Sequence, residues 1–267
     1  MIPLFSISYV TLIRDNFFAI MSDSISSIDK RDAEGSVPSA LRHYLGWIAA
    51  AVIILLLVAD QVIKIWVKTH FYIGEDYEIC SWFHLRFIEN NGMAFGLELW
   101  NKLLLTFGRI VAVAGLIWCL RKAIAHTELR SGFVIALAMI TAGAAGNIFD
   151  CIFYGVIFDA PFPPQVASLC PDAGGYANWF EGRVVDMFYF PFFDFYWPEW
   201  VPFVGGSYFE FFAYIFNVAD ASICVGLALM LFFYNSNMQL AFSLADSKLK
   251  RLFHKSDSKS NSKSDSK

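Results

Sequence analysis

Charge is scarce in this chain. Asp, Glu, Lys and Arg together supply 16% of its 267 residues, against 57% apolar residues. Soluble domains carry about 25% charged and roughly 45–50% apolar residues, so the composition argues against a soluble domain and for a polytopic membrane bundle. No basic run interleaved with aromatics occurs, which speaks against a nucleic-acid partner. The five cysteines (Cys80, Cys119, Cys151, Cys170 and Cys224) form no CxxC pair and no metal-ligand spacing. The five histidines are scattered and none lies in HExxH, so zinc-protease chemistry is not indicated. Neither a metal nor another cofactor is expected. Cys119 and Cys224 lie in apolar runs and read as small core hydrophobes, whereas Cys80 and Cys170 fall in loops where pairing is open.

Long apolar runs are what the chain does have. A spanning helix needs about 20 mostly apolar residues, and four segments qualify: about 44–67, 103–120, 132–156 and 214–234. None combines a short apolar core with a small-residue cleavage site, so none reads as a removable leader. Arg14, Lys30, Arg31 and Arg42 precede the first run. Arg121, Lys122 and Arg130 join the second to the third, and Lys248, Lys250 and Arg251 follow the fourth. The long connection between the third and fourth runs holds one basic residue, Arg183. The positive-inside rule then predicts both termini in the cytoplasm and both long loops outside, with Trp, Tyr and Phe at the membrane–water boundary. In SWFHLRF, Trp82, His84 and Arg86 alternate with Phe83, Leu85 and Phe87, which predicts a half-buried strand.

These signals predict an all-α polytopic membrane protein: four transmembrane helices, a small extracytoplasmic β-sheet and an enlarged extracytoplasmic loop. Residues 1–43 are expected to form a cytoplasmic arm. Residues 44–236 form the membrane domain, with loops at about 70–100 and 157–212, and 237–267 form a cytoplasmic tail. The polar, low-complexity stretch from His254 is expected to be disordered. Residues 1–20 are too short and too interrupted to span, and Met21 is the expected start.

Ionisable groups inside a span are costly and mark functional candidates. Asp60 and Lys64, at i and i+4, share a helical face with Gln61 beside them. They read as an internal ion pair, as a substrate-positioning pair, or as both. Gly143, Ala144, Ala145 and Gly146 permit close helix approach, but packing does not account for Asn147 and Asp150 one turn on. Arg109 in the second run has no evident role beyond pairing with a carboxylate or reaching water. Asp186 (GRVVDMFYF) and Asp220 (FNVADAS, with Asn217) fall near the same predicted end of the bundle as Asp150. Two neighbouring carboxylates share a proton, and such a pair supports water attack, one member as base and one as acid. Intramembrane carboxylates also suit a proton pathway, and the residues alone leave that choice open.

DQVIK (60–64), NNGMAF (90–95), GAAGNIFD (143–150), VVDM (184–187) and FNVAD (216–220) together resemble, in order, the motifs of bacterial lipoprotein signal peptidase, or signal peptidase II, an aspartic peptidase family. The resemblance covers about residues 44–236. It implies an inner-membrane endopeptidase that removes the signal peptide from diacylglyceryl-modified prolipoproteins, cutting before the lipidated cysteine. It implies Asp186 and Asp220 as the catalytic pair, and Asp60, Lys64, Asn90, Gly143, Asn147, Asp150 and Asn217 as substrate-binding or supporting residues. Globomycin-type inhibitors and membrane lipids are the further implied partners. One chain carries every motif, which predicts a monomer. The family's third motif usually ends in Asp-Arg, but here Cys151 follows Asp150, and Arg183 is the candidate substitute for the missing guanidinium. Two aromatic inserts, at about 157–182 and 191–212, are expected to form a lid or a wall at the lipid boundary. The competing readings are a catalytically inactive homologue that binds lipoproteins and a proton-coupled carrier, the latter disfavoured by the absence of an internal repeat.

Overall fold

The computed structural model describes residues 39–91, 102–126, 128–160 and 162–244. The expectations about Met21, the distal tail and Gly92–Phe95 of the second motif lie outside these residues. Helix α1 runs Ser39–His70, α2 Lys102–Ala125, α3 Ser131–Phe149 and α4 Val218–Phe233. A fifth helix, α5 (Asn235–Leu244), follows α4 at a 92° bend. Among the described residues, three helical stretches are long and apolar enough to cross a membrane, Tyr44–His70, Lys102–Ala125 and Ser131–Ile157, and α4 with α5 makes a fourth if the bent pair is one span. Large apolar side chains stand exposed along their outer faces, among them Leu55 and Val58 of α1, Leu104 and Val111 of α2, and Leu231 and Phe232 of α4. In lipid such faces are solvated, so the apolar effect that buries them in water is not at work between these helices.

Close backbone approach holds α3 against α4 instead. A Cβ on Gly143 would lie 2.2 Å from the Ala219 carbonyl oxygen, and one on Gly226 would lie 2.7 Å from Ile140. Small residues on both helices bring the backbones together, as the GAAG run implies.

The fold is mixed rather than all-α. Among the described residues six strands form two antiparallel sheets, which corrects the all-α class while the small sheet it included is present. The larger sheet has the order β1 (Asp76–Cys80), β2 (Phe83–Asn90), β3 (Val184–Tyr189), β6 (Ile215–Phe216). A separate hairpin pairs β4 (Phe193–Tyr196) with β5 (Tyr208–Phe211). The cause is legible afterwards. Apolar residues of short strands buried on both faces, such as Val184 and Val185, have no period to distinguish them from helix. The fourth span also begins later than hydropathy suggests. Ile215–Phe216 is a strand, and Asn217 then caps α4 with Asp220 in a reciprocal capping box. The strand predicted around SWFHLRF is present as β2, with Phe87 fully buried and Leu85 packed beneath the sheet.

Two apolar clusters flank a polar middle. One gathers Leu45, Ala49, Leu120, Phe133, Val134 and Met230 near the start of α1. The other gathers Val67, Phe71, Phe87, Tyr154, Val185 and Met187 where α1 ends. The first insert belongs to the second cluster through Phe158, Ala167 and Tyr176. Its backbone runs back along the end of α3. Gly182, Phe180 and Ala177 donate N–H groups to the carbonyls of Cys151, Ile152 and Gly155. Those are orphan acceptors of a helix C-terminus. The first insert therefore caps and buttresses the end of this helical stretch. Cys80 and Cys170 are both free thiols.

Candidate active site

The site begins with the spacing on α1. Asp60, Lys64 and Lys68 recur every fourth residue, so all three point to one face, and all three are buried. Lys64 Nζ meets Asp60 Oδ2 at 2.9 Å, Asp150 Oδ2 at 2.7 Å and Asn147 Oδ1 at 2.8 Å. An ammonium has three hydrogens, and each has an acceptor. The carboxylates are satisfied in turn. Asp60 Oδ1 accepts from the Ala219 N–H at 3.0 Å, Asp150 Oδ1 from Gln61 Nε2 at 2.9 Å, and Asp150 Oδ2 from the Val185 N–H at 3.3 Å. Lys64 thus ties α1 to α3, and its two partners reach on to α4 and β3. A buried pair fully bonded in this way costs much more to break than it contributes by forming.

The backbone changes character at Asp150. Residues Asp150–Tyr154 form a π-helical turn between α3 and the short helix Gly155–Ile157. Single π turns are inserted residues that re-aim side chains and recur at functional sites. Strand β2 has an irregularity of its own between Leu85 and Ile88, opposite Asp186. A bulge similarly redirects the neighbouring side chains.

Asp186 lies on β3 and is buried, not in an open loop. Asn217 Nδ2 donates to Asp186 Oδ1 at 2.6 Å, and Asn90 Nδ2 approaches Asp186 Oδ2 at 3.4 Å. Asp220 accepts from Asn147 Nδ2 at 2.8 Å, and its N–H donates to Asn217 Oδ1 at 2.9 Å. Asn147 and Asn217 are joined at 3.1 Å. One amide network therefore links both aspartates, while the Lys64 ammonium is held by Asp60 and Asp150. Burial first, and the negative charge of Asp220 second, push the Asp186 carboxyl up to about 7. A carboxyl so placed keeps its proton near neutrality and can donate it.

The structure gathers Asp60, Lys64, Asn147, Asp150, Asp186, Asn217 and Asp220 into one bonded cluster, and Asn90 touches its edge. Gly143 acts differently from the supporting polar residues it was grouped with. It contributes close approach at Ala219, next to Asp220. Gln61 and Tyr154 complete the network, with Tyr154 Oη donating to Gln61 Oε1 at 3.0 Å. Gln61 was visible as a second polar residue in an apolar run, whereas Tyr154 is signalled only by lying one turn beyond Asp150.

Arg183 does not substitute for the missing arginine. Its guanidinium meets Glu89 at 3.0 Å and stacks over Tyr176. Lys64 and Gln61 already satisfy Asp150. The Cys151 thiol instead faces Arg109, whose Nη1 is 3.1 Å from Sγ, which gives that intramembrane arginine its partner. A further cluster escaped the sequence reading. Lys68, wholly buried, pairs with Glu89 and lies over the rings of Phe87, Phe158 and Tyr176. Glu89 precedes Asn90 on β2, so this cluster fixes the strand that carries Asn90. The i, i+4 step from Lys64 to Lys68 was its only signal.

Several known proteins resemble this chain as a whole. The profile of the signal peptidase (SPase) II family matches residues 52–249. The lipoprotein signal peptidase of Porphyromonas gingivalis is 50% identical over 195 residues, covering 73% of this chain and 86% of that protein. The lipoprotein signal peptidase of Amoebophilus asiaticus is 32% identical, covering 72% and 80%. A solved bacterial membrane enzyme, 20% identical, superposes with a TM-score of 0.48 over 72% of this chain and 89% of its own. With the profile spanning most of the chain and half the residues shared with a relative over that length, this protein belongs to the signal peptidase II family of membrane peptidases.

Proposed function

We propose that this protein is an intramembrane aspartic endopeptidase that removes the signal peptide from diacylglyceryl-modified prolipoproteins, cutting before the lipidated cysteine. The observation that carries the mechanism is the amide bridge. Asn217 binds the Asp186 carboxylate with its N–H and the Asp220 backbone with its oxygen. Neither aspartate is paired with Lys64, so the two share a proton and hold a water between a base and an acid. The protonated member gives its proton to the leaving amine as the other takes one from water. Such general acid–base catalysis contributes about 10²–10⁴-fold. Asn90 and Asn147 orient the carboxylates, and Asp60, Lys64 and Asp150 hold α1, α3 and β3 in register around them.

The positive-inside distribution supports an inner-membrane location with both termini cytoplasmic and the site near the outer face. There the lipid of the substrate lies in the outer leaflet and water reaches the scissile bond. Acyl burial, at roughly 0.8 kcal/mol per CH₂, favours the lipidated precursor. The chain acts as a monomer, and peptide inhibitors of the globomycin type would occupy the same site. A mobility-shift cleavage assay in detergent tests this reading. The diacylglyceryl-modified precursor should be cut and the unmodified precursor left intact, with no effect of a chelator. Cleavage of both precursors at equal rates, or of neither, overturns it.

A further inference from the structure

The second insert stands apart from the site. Strands β4 and β5 form a two-stranded sheet separate from the four-stranded one, with Phe193 opposite Phe211, Asp194 opposite Glu210, Phe195 opposite Phe209 and Tyr196 opposite Tyr208. Opposed residues share a face and neighbours alternate. One face is therefore Phe193, Phe195, Phe209 and Phe211, and the other carries Asp194, Tyr196, Tyr208 and Glu210. The Phe193 and Phe211 rings stack at 4.7 Å between centroids, and Trp197 extends the same face against Phe195 at 5.0 Å. Beyond the strands the turn projects Trp200, 82% exposed, and Phe203, fully exposed. An isolated two-stranded hairpin is marginal in water, and a face of this composition left uncovered marks an interaction surface.

Its place in the fold indicates what covers it. The hairpin leaves β3 at Phe190 and returns into β6, where Phe188 pairs with Phe216 and Tyr189 with Ile215. Asn217 follows at once, and α4 enters the apolar layer at Val218. A chain of rings, Phe190 to Phe192 to Phe211, joins this root to the hairpin. The Phe face is thus rooted within a few residues of a span end, next to a helix that itself exposes Val225, Leu227 and Leu231. No Lys or Arg occurs between residues 184 and 217. A hairpin edge built to stay in water is commonly protected by lysine. Trp, Tyr and Phe with a carboxylate-bearing opposite face suit a headgroup boundary.

We propose that the 190–212 hairpin is a membrane-interface anchor that inserts its Phe face and the Trp200–Phe203 tip into the bilayer at the Val218 end of α4, leaving Asp194 toward water and Glu210 on the Tyr189 hydroxyl. This rests on the bundle's being embedded in lipid and not on the peptidase reading.

The test uses the full chain in nanodiscs of phosphatidylethanolamine and phosphatidylglycerol, with and without brominated acyl chains. Subtracting the emission of Trp200→Phe from that of the unaltered protein isolates Trp200. The expected result is that brominated lipid quenches this difference signal by more than half and aqueous iodide leaves it unchanged. A second probe, Phe203→Trp in the Trp200→Phe background, should behave alike and guards against a local rearrangement. Quenching by iodide without quenching by brominated lipid overturns the anchor in favour of a solvent-exposed flap. Protection from both quenchers overturns it in favour of protein covering the face, whether a second copy or the chain itself.

Discussion

Asn217 donates a side-chain N–H to Asp186 Oδ1 at 2.6 Å, so the residue that caps α4 also holds a carboxylate on β3. The two roles separate by substitution. Asn217→Ala removes both, and should cost about 0.5–2 kcal/mol of stability for the lost cap. Asn217→Ser keeps a good capping oxygen but is too short to bridge to Asp186. It should retain the thermal midpoint far better than Asn217→Ala while lowering kcat by about 10²-fold or more, the scale of one lost preorganised donor. Parallel melting curves and initial rates check this. Equal kcat for Asn217→Ser and the unaltered protein would remove the bridge from the mechanism.

The raised Asp186 carboxyl predicts a pH dependence. Its proton is held up to about 7 in the folded protein and to about 3.9 in an unfolded chain. The folded state thus binds the proton more tightly, so this group's contribution to stability is full below about 3.9 and is lost as pH rises through about 7. Activity should fall on the alkaline side as the pair loses its last proton. Melting at pH 5 and pH 8 should differ less for Asp186→Asn than for the unaltered protein. The opposite ordering contradicts the assignment.

Lys64 is the cation shared by Asp60 and Asp150. Lys64→Met leaves both carboxylates buried without it, at a cost of about 3–5 kcal/mol. Adding Asp150→Asn to Lys64→Met should recover part of that loss in thermal stability, without restoring full activity. No recovery in the double variant would show that the ion pair is not what the lysine supplies.

Gly143 lets α3 approach α4. A methyl group there would lie 2.2 Å from the Ala219 carbonyl oxygen, so Gly143→Ala should destabilise by about 1–3 kcal/mol. It should also lower kcat, because Ala219 precedes Asp220. Gly108→Ala is the control. Nothing lies within 4 Å of its Cβ position, and helix propensity predicts a change of no more than about 1 kcal/mol, in the stabilising direction.

Much of this was legible in the sequence because lipid makes polar residues conspicuous. Asp60, Lys64, Asn147 and Asp150 stood out as costly groups at helical spacing, and the structure joins them. Asp186 was found by its motif, but its setting was not, since a buried strand such as Val184–Tyr189 carries no period of its own. The start of α4 was misplaced because Tyr214–Phe216 is as apolar as the helix it precedes. Only the Asn217–Asp220 capping box marks the boundary. Glu89 and Lys68 pair across residues that no local spacing relates. Tertiary contact alone brings them together.

The dyad is the central claim, and single-turnover cleavage of a diacylglyceryl-modified precursor by Asp186→Asn and Asp220→Asn tests it most directly. Each variant keeps the side-chain shape and should remain folded by melting. Each should lose at least about 10²-fold in rate, the low end of acid–base catalysis, with the double variant no slower than the slower single one. Near-normal cleavage by either folded variant would contradict the assignment of that aspartate and with it the shared-proton mechanism.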